Sequence, residues 1–347
     1  MAADIPKVVP LTCHGHSRPV THLSFSSTVE DEQYYFISSC KGVRSQIPEI
    51  TAFTNKPQII TQCFVMALRE TGLVHSLATK VPYGKPDSRQ MPPSQQQQQP
   101  ISQRECLHTL QHAHIVRSVA FPIQANPQVL ATGGAEKKLR IFDLTRGGSS
   151  STPPTPSASS ATTENGVSSY EIGAGVHNGT IKSIVWNQDY NVVTTAAEDR
   201  KVRWWDLRSR HPIVELGVDG PIGSCELNNL ATRPNDSGIL TVAAGKSVYL
   251  YDGVQPGRLL KKVDFDYDVA SAAVNSESGR LVTGSANDTW ARVYDLNTNE
   301  ELEVQKGHHG PIWSVSFSPD GKLYGTGSED GTIKLWKACR EPYGLWR

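Results

Sequence analysis

The sequence predicts an all-β repeat protein, a ring of short antiparallel strands. Three observations predict it. The first is a period: aromatic residues that close a strand recur at Trp205, Tyr251, Tyr294 and Trp336, with gaps of 46, 43 and 42 residues. The second is a fixed ruler inside the period. His308 precedes Asp330 by 22 residues, Thr326 lies four before that Asp, and Trp336 lies six after it. His177, Thr195, Asp199 and Trp205 repeat the same spacings. The third is punctuation: 28 Gly and 22 Pro separate apolar runs that are short enough for strands and too short for helices. A repeat in the low forties marks a unit that buries its apolar faces only against neighbouring copies.

The elements follow in chain order. Residues 1–42 hold an N-terminal closing strand and a partial first repeat. Cys13-His14-Gly15-His16 leads through THLSFSS and YYFISSC to Lys41-Gly42, where Gly42 takes the acid position. The ruler then expects an aromatic near 48 and meets Pro48, so the first repeat reads as truncated. From Val43 to Arg104 the period lapses. This stretch has no Gly-His pair and no Trp, and it carries Pro-Pro and the run Gln95 to Gln99. It reads as an aberrant low-complexity segment in place of one blade, and a mis-joined exon or a retained intron is the expected origin.

The pattern resumes at Glu105. Five copies span 105–338, at about 105–146, 170–208, 212–252, 258–295 and 301–338. His112, Thr132, Glu136 and Phe142 form a looser copy of the ruler. Gly245 replaces the acid in the fourth copy of the chain, and Asp266 stands where the next copy needs its His. Between the first two of these copies, 146–169 is rich in Ser, Thr and Pro and poor in apolar residues. It cannot offset its ordering entropy and is expected to be a flexible loop. Thr152-Pro153 and Thr155-Pro156 within it suit proline-directed modification. Residues 339–347 form a C-terminal tail. A ring also needs closure, because open edge strands invite aggregation. Lys7 to Thr12 can add the outer strand to the blade built from 301–338.

This pattern resembles the WD40 β-propellers, whose repeats each supply about four strands. The resemblance implies a seven-bladed template with the second blade replaced or disrupted: six recognisable repeats, the first truncated. It also implies a structural role for His308, Thr326, Asp330, Trp336, His177, Thr195, Asp199 and Trp205, as hydrogen-bonded tetrads that hold strands together. Closer likeness lies in PLTCHGHSRPVTHLSFS (10–26), ECLHTLQHAHIVRSVAF (105–121), the template at 306–336 and the tail Tyr343-Gly344-Leu345-Trp346. These stretches resemble the serine-threonine kinase receptor-associated (Unr-interacting) proteins. That resemblance implies a scaffold in a multi-subunit complex, associated with the SMN complex that loads Sm proteins onto spliceosomal small nuclear RNA. It further implies protein partners, indirect contact with RNA, and, in animals, modulation of receptor kinases.

Composition narrows the remaining classes. Thirty-four Lys+Arg balance 34 Asp+Glu, which argues against wholesale binding to nucleic acid or membrane through charge. Six scattered cysteines without CxxC suit a reducing compartment. The N-terminus lacks the apolar run of a signal peptide, and Ile59 to Val74 is too polar to span a bilayer. The reading is a soluble cytoplasmic protein, with the nucleus as a second compartment. No GxSxG, HExxH, Walker-type phosphate loop or GxGxxG appears, so no catalytic, cofactor or metal residue is expected. His14, His16, His108, His112 and His114 crowd two strand starts, and the tetrad accounts for His16 and His112. Arg117, Lys182 and Trp313 fall at equivalent positions just before their second strands, lined up on the entry side, and are candidate partner contacts. Two other scaffolds are alternatives. One is the propeller subunit of translation initiation factor 3, which shares the KGH-x-GPI element. The other is a cullin-4 ligase receptor, through Val193–Arg208, where Arg208 is the informative residue.

Overall fold

The computed structural model describes residues 9–14, 16–25, 34–40, 51–53, 64–68, 73–78, 105–122, 129–144, 162–164, 167–228 and 238–343. Among them the secondary structure is strand and turn, arranged as seven antiparallel sheets. The first is β2 (Val20–Phe25), β3 (Tyr34–Cys40) and β4 (Thr51–Phe53). The second is β5 (Phe64–Leu68), β6 (Leu73–Ala78) and β7 (Glu105–Gln111). The stretch that reads as a replaced blade therefore contributes β4, β5 and β6, and the second blade is a three-stranded sheet. FVMAL is a short continuous apolar run and LVHSLA has four apolar residues of six, enough for strands without any of the repeat's polar markers. The rest of 43–104 lies outside the described residues.

The third blade has five strands: β8 (Val116–Ala120), β9 (Val129–Gly134), β10 (Leu139–Asp143), β12 (Val167–Ile172) and, outermost, β11 (Thr162–Glu164). The expected loop 146–169 thus ends earlier than its composition suggests. Glu164 pairs with Val167, and the sequence between them is Asn-Gly, the pair that most favours a two-residue hairpin connection. Thr152 and Thr155 lie outside the described residues.

Three regular four-stranded blades follow. The fourth is β13 (Ile181–Trp186), β14 (Val192–Ala197), β15 (Lys201–Asp206) and β16 (His211–Gly217); the fifth is β17 (Ile222–Asn228), β18 (Ile239–Ala244), β19 (Ser247–Asp252) and β20 (Leu259–Asp264). The sixth is β21 (Val269–Asn275), β22 (Arg280–Ser285), β23 (Ala291–Asp295) and β24 (Glu301–Gln305). The seventh combines β25 (Ile312–Phe317), β26 (Leu323–Ser328) and β27 (Ile333–Lys337) with β1 (Leu11–Cys13) from the other end of the chain. Leu11 faces Leu335, and Cys13 faces Ile333. The closing strand sits slightly later than Lys7 to Thr12, and Lys7 and Val8 lie outside the described residues.

The core lies between blades, not inside a single sheet. Trp204 and Trp205 show why. Period-two alternation sends neighbouring strand residues to opposite faces. Trp204 packs with Leu240, Val242 and Tyr251 of the fifth blade, and Trp205 packs with Ala131, Leu139 and Ile141 of the third. Second strands are covered on both faces, so VVTTAA and ILTVAA carry no charged residue and are buried almost throughout. Where the next blade comes closest, only glycine fits: a Cβ on Gly327 would meet Val20 Cγ1 at 2.7 Å.

Inner strands β8, β13, β17, β21, β25 and β2 pack in that order around the axis. Side-chain hydroxyls stitch them together. Ser118 accepts from the Ile184 amide at 2.8 Å and Ser183 donates to the Cys225 carbonyl at 2.6 Å; from the second strand β18, Thr241 donates to the Ala272 carbonyl of β21 at 3.1 Å. Ser314 accepts from the Leu23 amide at 3.0 Å, which joins the seventh blade to the first.

Candidate functional site

The tetrads were the most explicit expectation of the sequence. In the seventh blade His308 Nδ1 donates to Asp330 at 3.1 Å, and Thr326 Oγ1 donates to His308 Nε2 at 2.7 Å. Trp336 Nε1 donates to the same Thr326 oxygen at 2.9 Å. The fourth blade keeps Trp205 Nε1 to Thr195 Oγ1 at 2.8 Å, but its His is wired differently. Arg203 donates to His177 Nδ1 at 3.0 Å and to Asp199 at 2.8 Å, so the guanidinium stands between imidazole and carboxylate. A ring nitrogen that accepts leaves the proton on the other one. His177 is therefore the Nε2–H tautomer, where His308 is the Nδ1–H tautomer.

Arg203 belongs to a set that the ruler did not include. A basic residue stands four after the acid in four blades: Arg140, Arg203, Arg292 and Lys334. Each reaches from the third strand toward the outer one. Arg203 binds Glu215 at 2.7 Å, Arg140 binds Glu136 at 2.9 Å and Glu171 at 3.4 Å, and Arg292 binds Asp288 at 2.6 Å. Lys334 instead donates to Thr12 of the closing strand at 2.9 Å. The signal was present as the spacing acid-x-x-x-base. In the sixth blade, Asp266 does not take the place of the His. Its neighbour Tyr267 does, bonding Thr283 at 2.6 Å and the Tyr294 hydroxyl at 3.0 Å.

Arg117, Lys182 and Trp313 share one backbone feature. Each is the extra residue of a bulge where its inner strand pairs with the second strand. The same bulge recurs at Thr21, Gly223 and Ala270. A bulge turns its extra side chain out of the ladder, so these positions, apart from the buried Ala270, form a rim on the face where inner strands begin, here the upper face. Lys182 is paired there with Glu198 at 2.9 Å, and Trp313 Nε1 donates to Glu329. Arg117 is exposed, and Ala135 stands where the other two blades carry those glutamates. Gly223 is needed at its place because a Cβ would lie 2.2 Å from the Ala270 carbonyl oxygen. Arg208 is elsewhere. It follows β15, where the Leu207 amide bonds Asn191 at 2.8 Å, so it lies on the opposite, lower face with its side chain 71% exposed.

A model of the WD domain, G-beta repeat, matches 104–143, 174–206 and 299–337. The serine-threonine kinase receptor-associated protein of Gallus gallus is 33% identical over 97% of this chain and 85% of its own length. The Dictyostelium discoideum protein of that name is 32% identical over 94% of the chain and 98% of its own length. The chain belongs to the serine-threonine kinase receptor-associated protein family. Subunit I of eukaryotic translation initiation factor 3 from Drosophila ananassae is a more distant relative, 25% identical over 63% of the chain.

Electrostatics in this family member keep the tetrads neutral at their histidines. Burial pushes His112 and His177 down to about 4, with Arg140 and Arg203 adding to it, against the pull of Glu136 and Asp199. Burial also lowers His308. Burial works against ionisation of Asp330 as well. Hydrogen bonds from the His309 amide, Thr332 and His308 outweigh it and hold the carboxylate at about 2. A buried, satisfied network of this kind fixes strand positions. Among the described residues no group of three His, Cys, Asp or Glu side chains is placed to hold a metal ion, and no helix is long and apolar enough to cross a membrane.

Proposed function

We propose that this chain is a non-catalytic scaffold that joins proteins in a multi-subunit complex. Its expected setting is assembly of Sm proteins onto spliceosomal small nuclear RNA, in association with the SMN complex. Family membership over 97% of the chain is the observation that carries this reading. The fold supports it in kind: a propeller offers rigid turns on two faces, and function is grafted onto them. Arg117, Lys182 and Trp313 on the upper face and Arg208 on the lower face are the proposed contacts. RNA is reached through protein partners, and the compartments are the cytoplasm and the nucleus. The name shared by the relatives also supports a receptor-associated role.

The test is affinity purification of the tagged protein from its own cells with mass spectrometry of what co-elutes. Sm proteins and assembly factors are expected. Initiation factor 3 subunits without Sm proteins would overturn the assignment in favour of the more distant relative. A cullin-4 adaptor that is lost on Arg208→Ala would favour the ligase-receptor reading.

A further inference from the structure

The upper face is electrically divided. On the third and fourth blades three exposed cations have no carboxylate partner among the described residues: Arg117, Lys137 and Arg200. Lys137 and Arg200 hold the same place, one residue after the tetrad acid, in the turn between second and third strands. Both have φ near +60°, where the seventh blade uses Gly331 at +77°. Long side chains enter this left-handed region at a cost that glycine avoids. Strain of this sort clusters at functional positions.

The turns hang beside the rim. The Ala135 amide bonds the Ile115 carbonyl at 2.9 Å, and the Glu198 amide bonds the Thr180 carbonyl at 2.8 Å. Adjacent blades therefore present two cationic turns and the bulged Arg117 on one side of the mouth. Ile115, 42% exposed, lies next to Arg117. The nearest acids are already engaged: Glu198 by Lys182, and Glu136 by Arg140 and the amides of Ala113 and His114. On the fifth and sixth blades the same face is mixed: exposed carboxylates stand beside Lys262 and beside Lys246, which holds the place of Lys137 and Arg200 and donates to the Asp266 backbone carbonyl at 3.0 Å. Asp219 and Asp264 have side chains 74% and 65% exposed, and they share one lysine, Lys262; Asp266 is also exposed.

We propose that this cationic sector docks a short acidic peptide segment of a partner protein, and the proposal rests on the scaffold reading above. Charge complementarity selects an anionic partner. The exposed carboxylates of the adjoining fifth and sixth blades repel a long polyanion that runs on from the cationic sector in that direction. That favours a peptide whose negative charge is local over a nucleic-acid strand, whose charge recurs at every phosphate. Ile115 adds an apolar contact that a peptide side chain can use.

Fluorescence anisotropy tests this on the full chain, with a fluorescein-labelled peptide of alternating Asp and Glu as the probe. Oligouridylate serves as the competitor. Binding is expected to weaken as salt rises, and to fall roughly tenfold or more in the Arg117→Glu/Arg200→Glu variant. Arg258→Glu, in the turn between β19 and β20 on the lower face with its side chain 57% exposed, should leave it unchanged. Arg200→Gly should weaken binding while holding or raising the melting temperature, because it removes a charge and the left-handed strain together; a merely misfolded variant would lose melting temperature along with binding. Absence of peptide binding, equal affinity in the double variant, or preference for oligouridylate overturns the proposal. The scaffold reading fails separately: a double variant that still co-purifies every partner refutes this docking site alone, whereas a parent chain that co-purifies none refutes the scaffold.

Discussion

At the scale of single residues, Arg203 is the most exacting position. Its side chain is 1% exposed, yet it carries charge. Asp199 and Glu215 neutralise it, and the ring nitrogen of His177 accepts from it. Burial disfavours the ionised Asp199, but the Arg203 hydrogen bond and the Asn178 amide outweigh it and keep that carboxyl below its usual range. Removing the guanidinium leaves the buried Asp199 without its counter-charge and the His177 ring nitrogen without its donor, while Glu215 keeps Lys201; breaking a buried pair in this way costs about 3–5 kcal/mol. Arg203→Met is therefore expected to lower the denaturation free energy by that order, as measured in urea. A loss below about 1 kcal/mol would mean that the guanidinium contributes little beyond packing. This residue was legible as a spacing, four after the acid, in four blades. Its connection to the imidazole was not, because the His–Asp pairing in the seventh blade gives no hint that a cation intervenes in the fourth.

At the scale of elements, the closing strand matters most. β1 contributes three paired residues to the seventh sheet and receives the Lys334 hydrogen bond. Without it, β27 presents a free ladder edge, and Leu11 and Cys13 leave the apolar cluster formed with Val20, Leu23 and Leu335. An exposed edge of this kind pairs with other chains. Deleting residues 1–13 is expected to lower the melting temperature and to make the chain self-associate, seen as concentration-dependent sedimentation. Unchanged sedimentation would mean that the edge is protected by other means. The existence of a closing strand followed from the need to end a ring. Its register did not, since three residues carry too little pattern to fix one. The hairpin of β11 and β12 teaches the converse: composition marked that segment as loop, while Asn-Gly within it favoured a turn between strands.

At the scale of the whole molecule, titration sets the window in which the ring is stable. His112 and His177 are held at about 4 in the fold, below the ordinary 6.5, so their contribution is present above 6.5 and is lost as pH falls toward 4. Glu226, on the inner strand of the fifth blade, runs the other way. Burial pushes it up to about 8 from 4.5, so its contribution is complete below 4.5 and is lost as pH rises through 8. Glu226→Gln should therefore raise the melting temperature by an amount that grows from pH 5 to pH 8 and then levels off. A pH-independent difference would show that Glu226 titrates normally. The sequence by itself determined the repeat, the tetrad residues and the ring, because each is written as a spacing within some forty residues. It also placed Arg117, Lys182 and Trp313 at one equivalent position. Only the tertiary structure decided that this position is a bulge, that Lys182 is neutralised by Glu198, and that Arg208 faces the other way. It also found strands where the repeat lapses and divided the upper face by charge. These properties arise between blades distant in sequence, and a local pattern cannot encode which side chains meet across that gap.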